Sequence, residues 1–329
     1  MIKKILLGIF CVIKFIFRWT IRKPLGYLRR RARLNFKTKG PHVFHDRKQN
    51  KSSLIMILSG YKPLLWDKIF ERIEKFAPLT SDICIVSSGK YEKFLADTAE
   101  KNNWSYLSTK RNCVSLAQNM AITLHPKAEF IYKLDEDIFV TQNSFEILMD
   151  TYKKVIEDGL YEPAFIAPLI PVNAYGHVRV LERLGLVNEY EKRFERIKYQ
   201  SGRDHMIEGN PETAKFFWGE GGIVPSIDSI AEEFNKGNIK YKACPIRFSI
   251  GFILFSRRLW LDMGMWQVPR SGSGMGGDEV QICNLAMSIS RAIIVAENAV
   301  AGHLSFGPQN EAMQEYFIAH PEKFSLACE

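Results

Sequence analysis

The stretch "FIYKLDEDIFVT", residues 130–141, decides how the chain is to be read. Phe130, Ile131, Tyr132 and Leu134 form an apolar run of the kind that is buried in a strand. The run ends on Asp135, Glu136 and Asp137. Three adjacent carboxylates repel one another, and a buried strand end tolerates them only if something positive lies among them. A divalent cation that also holds a diphosphate meets that need. Hard oxygen ligands suit Mg2+ or Mn2+, and substrate phosphates supply further oxygens. A solvated acidic loop is the plainer alternative.

Outward from this stretch the hydrophobic periodicity alternates. "LIMILSG" (54–60) reads as a buried strand and "LLWDKIFERIEKF" (64–76) as a helix. "DICIVSSGK" (82–90) is a second strand, "YEKFLADTAEKNN" a second helix, and "WSYLSTK" a short third strand. "VSLAQNMAITL" (114–124) is helical and leads into "EFIYKLDEDIFV", read as one continuous strand. Strands alternating with helices predict an α/β fold with a parallel sheet flanked by helices. Ligands of such sheets bind outside the carboxyl ends of the strands, where Gly60, "SSGK" and "DED" all fall. Beyond, "FEILMDTYKKVIED" (145–158) is a helix and "AFIAPLIPVN" (164–173) a strand, and the charged stretch 180–242 reads as inserted helices and loops. "IRFSIGFILFSRRLWLDMG" (246–264) reads as strand, turn and helix start. "GSGMGGDEVQICNLAMSISR" is a glycine-rich loop entering a helix, and "AIIVAENAVAGHLSFGP" is a late strand ending at His303.

Charge is unevenly placed. The chain has 45 Lys and Arg against 36 Asp and Glu, a net +9. Residues 1–45 hold twelve of those bases and no acid, which leaves the remainder near −3 (33 minus 36). The body is therefore mildly acidic, which argues against a nucleic-acid-binding surface on it. In the first 22 residues, Lys4, Lys14, Arg18 and Arg22 make a basic stripe beside a broad apolar face. The apolar stretch Ile5 to Ile13 is too short to span a bilayer, Pro24 is expected to end the helix, and Arg29, Arg30, Arg31 and Arg33 follow as a polybasic cluster. This is the pattern of a basic amphipathic helix at an anionic membrane surface. A signal peptide, a tilted span and a helix docked on the body are the alternatives. The six cysteines (Cys11, Cys84, Cys113, Cys244, Cys283 and Cys328) form no Cys-x-x-Cys pair and read as reduced thiols of a cytosolic protein.

"LDEDIFV" resembles the DxD motif of GT-A-fold glycosyltransferases, and it does not stand alone. "NCVSLAQNMAI" (112–122) is similar to the family-2 pattern N-x-G-x-x-x-A-x-N, with Asn112, Ala117 and Asn119 matching and Val114 in place of the glycine. "GMGGDEVQICNLA" resembles the G-x-G-G-E-D loop that carries the acceptor-activating carboxylate, and "GHLSF" resembles the late histidine of the metal site. Together these elements cover roughly residues 54–307. The resemblance implies a GT-A, Rossmann-like, mostly parallel sheet that takes a nucleotide-sugar donor and a divalent metal (Mn2+ or Mg2+). It implies transfer of the sugar to a hydroxyl of a glycan or lipid-linked acceptor.

On that resemblance, Asp135, Asp137 and His303 are the metal residues, with Asp135 acting through water or ribose. Glu136 takes the variable middle position. Ser59, Gly60, Tyr61, Ser87, Asn112, Asn119 and Asp135 border the donor. Glu279 is the base of an inverting transfer, with Asp278 as nearby competitor. Many relatives end the second strand on an Asp that reads the nucleobase, where this chain has Ser87, Ser88 and Lys90. Trp218, Glu220, Gly221 and Gly222 are candidates for an acceptor cleft. Arg247 and Lys62 are candidates for contact with the nucleotide, and Trp260 and Trp266 belong to the core. The expected organisation is a membrane-associating segment 1–45 and a glycosyltransferase domain 46–310, with a helical tail at 311–329. Within the domain, 54–145 is the nucleotide-sugar half and 160–310 the acceptor half, with 180–242 inserted. The expected place is the cytoplasmic, inner face of the plasma membrane, in bacterial surface polysaccharide or lipopolysaccharide assembly. A nucleotidyltransferase and a non-catalytic glycan-binding membrane protein are the rival classes. "LSGYKPLLW" lacks the glycine-rich phosphate loop of the former, and "SSGK" lacks the spaced glycine of a P-loop.

Overall fold

The structure is a computed structural model that describes residues 14–15, 23–200 and 205–326. The amphipathic stretch 1–22, residues 14–15 apart, lies outside the described residues, as do Cys11 and Cys328. The four described cysteines, Cys84, Cys113, Cys244 and Cys283, are buried free thiols.

The described residues build a ten-stranded sheet from β1 (His42–His45), β2 (Ser53–Leu58), β3 (Ser81–Ser88), β4 (Ser105–Thr109) and β5 (Phe130–Asp135), then β6 (Ile138–Val140), β7 (Pro163–Leu169), β8 (Tyr241–Ala243), β9 (Phe252–Ser256) and β10 (Ala292–His303). Across the sheet the order is β1-β4-β3-β2-β5-β9-β7-β10-β6, with β8 lying along β10. β4, β3, β2 and β5 run parallel, as do β7 and β10. β9 runs antiparallel between β5 and β7. Leu54, Ile55, Met56 and Ile57 are fully buried, as befits a central parallel strand covered on both faces. The helices Trp66–Phe76, Lys93–Lys101, Val114–Leu124 and Ser144–Asp158 alternate with these strands, within a residue or two of the expected spans at most ends. This is the α/β arrangement of a sheet flanked by helices that the periodicity predicts.

Three local readings change. "EFIYKLDEDIFV" is two strands, because the chain turns at Glu136 and Asp137. β5 lies between β2 and β9, whereas β6 pairs antiparallel with the end of β10, placing Ile138 opposite His303. Residues 246–251 form a loop, and strand geometry begins only at Phe252. Gly251 in that loop accepts from Asp135 N at 2.8 Å, and a Cβ there would meet Ile138 Cδ1 at 2.9 Å, so the loop passes too close for a side chain. β1 falls inside the stretch read as basic tail; it is a four-residue edge strand, antiparallel to β4, with no periodicity to announce it. A helix is described over Lys23–Thr38, so the arginine cluster is helical; the expectation that Pro24 ends the preceding helix falls on residues outside those described.

The charged stretch 180–242 folds as short helices and a 3-10 turn, ending in β8. The C-terminal helix Asn310–Ala319 leads to Phe324, which is fully buried against Trp218 at a ring distance of 4.4 Å. Buried Arg72 clamps this region. Its guanidinium donates to both Asp228 oxygens at 2.8 Å and to the Val140 carbonyl at 3.1 Å.

Candidate functional site

The turn between β5 and β6 answers why an apolar strand ends on three acids: each acid has its own partner. Lys133 lies two residues before Asp135, on the same face of β5. Its ammonium contacts Asp135 Oδ1 at 2.7 Å and the Ile250 carbonyl at 2.9 Å. Burial works against that charge, but Asp135, Asp278 and Glu279 together outweigh it, and the Lys133 pKa rises. Glu136 turns back across the sheet. Its carboxylate accepts from Gly60 N at 2.8 Å, Tyr61 N at 2.9 Å and Trp66 Nε1 at 2.7 Å. Three N–H donors on a buried carboxylate are worth about 1.5–3 kcal/mol each. They lock the β2 exit loop to the acidic turn. Asp137 is held by the Lys62 ammonium and by His303, whose Nε2 lies 3.3 Å from Asp137 Oδ2. Burial alone would raise the Asp137 pKa, but His303 and Lys62 more than offset it and hold the carboxyl well below its ordinary range.

His303 reaches this position because β10 ends beside β6. Leu304 N donates to the Asp137 carbonyl at 3.1 Å, and the His303 carbonyl accepts from Trp218 Nε1 at 3.2 Å. Gly302 makes room for that indole: a Cβ there would lie 2.5 Å from the ring. Trp218 is therefore packed beneath the site and faces no acceptor cleft, while Glu220, Gly221 and Gly222 sit in a surface turn.

These strand ends line a cavity of about 390 Å³. Ser59, Tyr61, Lys62, Asp135, Asp137 and His303 contribute to it from the sheet. Ser59 Oγ is buried there without a hydrogen-bond partner. Met275, Gly276, Asp278 and Glu279 contribute from the glycine-rich loop and the helix Gly277–Ser288. Gly272, Gly274 and Gly276 hold φ of 78°, 67° and 74°, left-handed values that the glycine run permits. The loop is fastened to the helix Val114–Leu124, where Val114 N donates to the Ser273 carbonyl at 3.1 Å.

The two acids of that helix differ. Asp278 is buried, accepts from Gln118 Nε2 at 2.7 Å, and accepts from Glu279 N at 3.1 Å in the first turn of its helix. Glu279 keeps a freer carboxylate, paired at 2.9 Å with the half-exposed Arg247. Burial pushes the Glu279 pKa up, against the smaller opposing pull of Arg247 and Lys133.

Of the residues singled out in the sequence, Ser59, Tyr61, Asp135, Asp137, His303, Asp278 and Glu279 meet in one cavity, and Gly60 joins through its N–H on Glu136. Ser87 lies fully buried under Tyr106, whose hydroxyl approaches it at 3.3 Å; it is Ser88 that lines the cavity. Asn119 is a buried clamp. It donates to the Trp266 carbonyl at 2.9 Å and accepts from Trp260 Nε1 at 2.9 Å, so all three are core. Asn112 is exposed beside Gly89. Asp135 turns to Lys133 rather than to Asp137. Among the described residues no three Asp, Glu, His or Cys side chains gather into a metal-binding group. Asp137 and His303 pair directly, and Asp135 lies in the same cavity, turned to Lys133. Lys133 and Gln118 were passed over, although a lysine inside an apolar strand, two residues from an acid, is a readable signal. Two other hollows, of about 460 and 730 Å³, surround Arg47, Asp82 and Trp104 and surround Gln142, Ser226 and Asp228. Neither contains the strand-end acids or Glu279. The first opens at the start of β3, the wrong end for a ligand of such a sheet.

The chain is similar to solved glycosyltransferases. With GalNAc-T7 bound to UDP, GalNAc and Mn2+ it shares 11% identity at a TM-score of 0.45, over 84% of this chain and 51% of that one. It thus spans about half the length of that protein. With the mannosyltransferase PcManGT from Pyrobaculum calidifontis, in complex with GDP-Man and Mn2+, it shares 13% identity at 0.44, over 89% and 68%. With glucosyl-3-phosphoglycerate synthase from Mycobacterium tuberculosis the figures are 12% and 0.42, over 84% and 81%. No protein-family model and no curated protein matches the sequence.

Proposed function

We propose that this protein is a GT-A glycosyltransferase that moves a sugar from a nucleotide-sugar donor to an acceptor hydroxyl with inversion. The observation that carries the reading is the pairing of buried Asp137 with His303 in the same cavity as Glu279, a carboxylate whose pKa is raised. A carboxylate oxygen and an imidazole nitrogen 3.3 Å apart fit a divalent cation that takes its remaining ligands from a diphosphate and water. The cation, Mn2+ or Mg2+, supplies charge neutralisation at the departing diphosphate.

The chain's own residues do the rest. Asp137 and His303 would hold the cation. Lys133 keeps Asp135 anchored at the donor side, and the unpartnered Ser59 hydroxyl is free to bond the donor. As the acceptor oxygen bonds to the anomeric carbon and the bond to the diphosphate breaks, Glu279 takes the acceptor proton on its carboxylate. Arg247 orients that carboxylate, and Asp278, already bonded to Gln118, is the supporting acid.

The helix Lys23–Thr38 supports peripheral attachment to an anionic membrane. Arg29, Arg30, Arg31 and Arg33 are exposed on it together with Leu25, Leu28 and Phe36. No described helix is long and apolar enough to cross a membrane. A glycan or lipid-linked acceptor, in bacterial surface polysaccharide or lipopolysaccharide synthesis at the inner face of the plasma membrane, fits this placement. The test is a panel of nucleotide sugars assayed for metal-dependent nucleotide release, with the anomeric configuration of the product determined. Release by the wild type that Glu279→Gln abolishes supports the reading. A product of retained configuration removes Glu279 as the base.

A further inference from the structure

Lys62 differs from the other cations of the site. Lys133 is sealed: its side chain is 3% exposed, and two acceptors pin its ammonium. Lys62 stands on the loop leaving β2, its side chain is 23% exposed, and it lines the cavity. Its ammonium bonds one acceptor, Asp137 Oδ2, the oxygen that also faces His303 Nε2. The position that a divalent cation would need is thus held by a monovalent one carried on a four-carbon stem.

We propose that Lys62 is a resident counter-ion that must leave Asp137 for the metal to bind and that then pairs with the donor diphosphate. The proposal rests on the cation site of the function proposed above. Two positive centres cannot share one carboxylate oxygen in a buried site without strong repulsion. An ammonium driven from Asp137 has the cavity before it, and a diphosphate there offers the compensating charge. Metal and donor then bind cooperatively, each relieving a cost that the other would meet alone. A site kept neutral in this way also resists loading with metal in the absence of donor.

The test uses the full chain and reads binding, not turnover. Mn2+ is titrated alone, by calorimetry or electron paramagnetic resonance, into the wild type, Lys62→Met and Lys62→Arg. Lys62→Met is expected to bind Mn2+ at least about tenfold more tightly than the wild type, because its competitor is gone, while Lys62→Arg stays near wild type. In parallel, amine labelling of wild-type Lys62, read by mass spectrometry, needs no variant to fold. Labelling is expected to rise when Mn2+ is added and to fall again when UDP or GDP follows. Equal Mn2+ affinity in wild type and Lys62→Met, or Lys62 labelling that does not respond to bound Mn2+, overturns the exchange and leaves the proposed function standing. If the wild type takes up no Mn2+ even with UDP or GDP present, the cation site falls, and this inference falls with it.

Discussion

The cavity has two kinds of lining, and they are built to different standards. On the sheet side every acid is partnered, and Glu136 and Asp137 are buried: Asp135 pairs with Lys133, Glu136 with three N–H groups, Asp137 with Lys62 and His303. On the helix side Glu279 has one half-exposed arginine, behind a loop with three left-handed glycines and a Met275 that is 83% exposed. A site that grips a cation and a diphosphate gains from preorganised charge, since the geometry must be present before the ligand arrives. A side that admits acceptors gains from a loop able to move. On the function proposed above, the rigid part would bind the donor and the adaptable part would select the acceptor.

The largest effects separate the two sides by chemistry. Asp137→Asn and Glu279→Gln are each expected to lower transfer by at least about 10²-fold, the lower range for losing a positioned acid–base group. Only Asp137→Asn should also lose Mn2+-dependent nucleotide binding, measured by calorimetry. If Glu279→Gln loses it equally, the division of labour is wrong.

Stability divides them next. Glu136→Ala leaves Gly60 N, Tyr61 N and Trp66 Nε1 without their acceptor, at a cost of at least about 4 kcal/mol in urea unfolding. Glu279→Ala, which breaks a pair with a half-exposed arginine and a bond to the Ile250 backbone, should cost less, about 1 kcal/mol. Gly302→Ala forces Trp218 to shift and is expected to cost about 1–3 kcal/mol. It should also weaken Mn2+ binding, because the shift occurs beneath His303.

The smallest effect is in pH. Burial raises the Glu279 pKa, so the acidic limb of kcat/KM should lie above that of an ordinary glutamate. Arg247 favours the ionised form. In Arg247→Ala the base is protonated more readily, and activity should begin to fall at a higher pH than in the wild type. A limb that stays in place would mean that Glu279 is not the group titrating.

Much of this was readable along the chain. The buried strands before the acids, the helix Val114–Leu124 and the glycine-rich entry to Gly277–Ser288 each carry local periodicity or turn chemistry. The same pattern put Asp135 and Asp137 at a strand's carboxyl end, and the resemblance of the later motifs put Glu279 and His303 beside them. The errors share a cause. Ser87 and Ser88 differ only in which face of β3 they occupy, and one step in register moves a side chain from the cavity to the core. Asn119 matched a pattern, yet its amide is spent on Trp260 and Trp266, far along the chain.

By itself the sequence determined that carboxylates stand at the close of an apolar strand and that a second acidic pair opens a late helix. Apolar spacing and turn residues act between near neighbours, so these features need no knowledge of the fold. Only the tertiary structure decided which acid does what. Glu136 became the brace and Asp137 the partner of His303 because β6 leaves β5 and pairs at the far edge with β10. Partners such as Lys62, Gly60 and His303 lie from 75 to more than 160 residues away along the chain. Charge pairing across such distances is set by packing, which local periodicity does not encode.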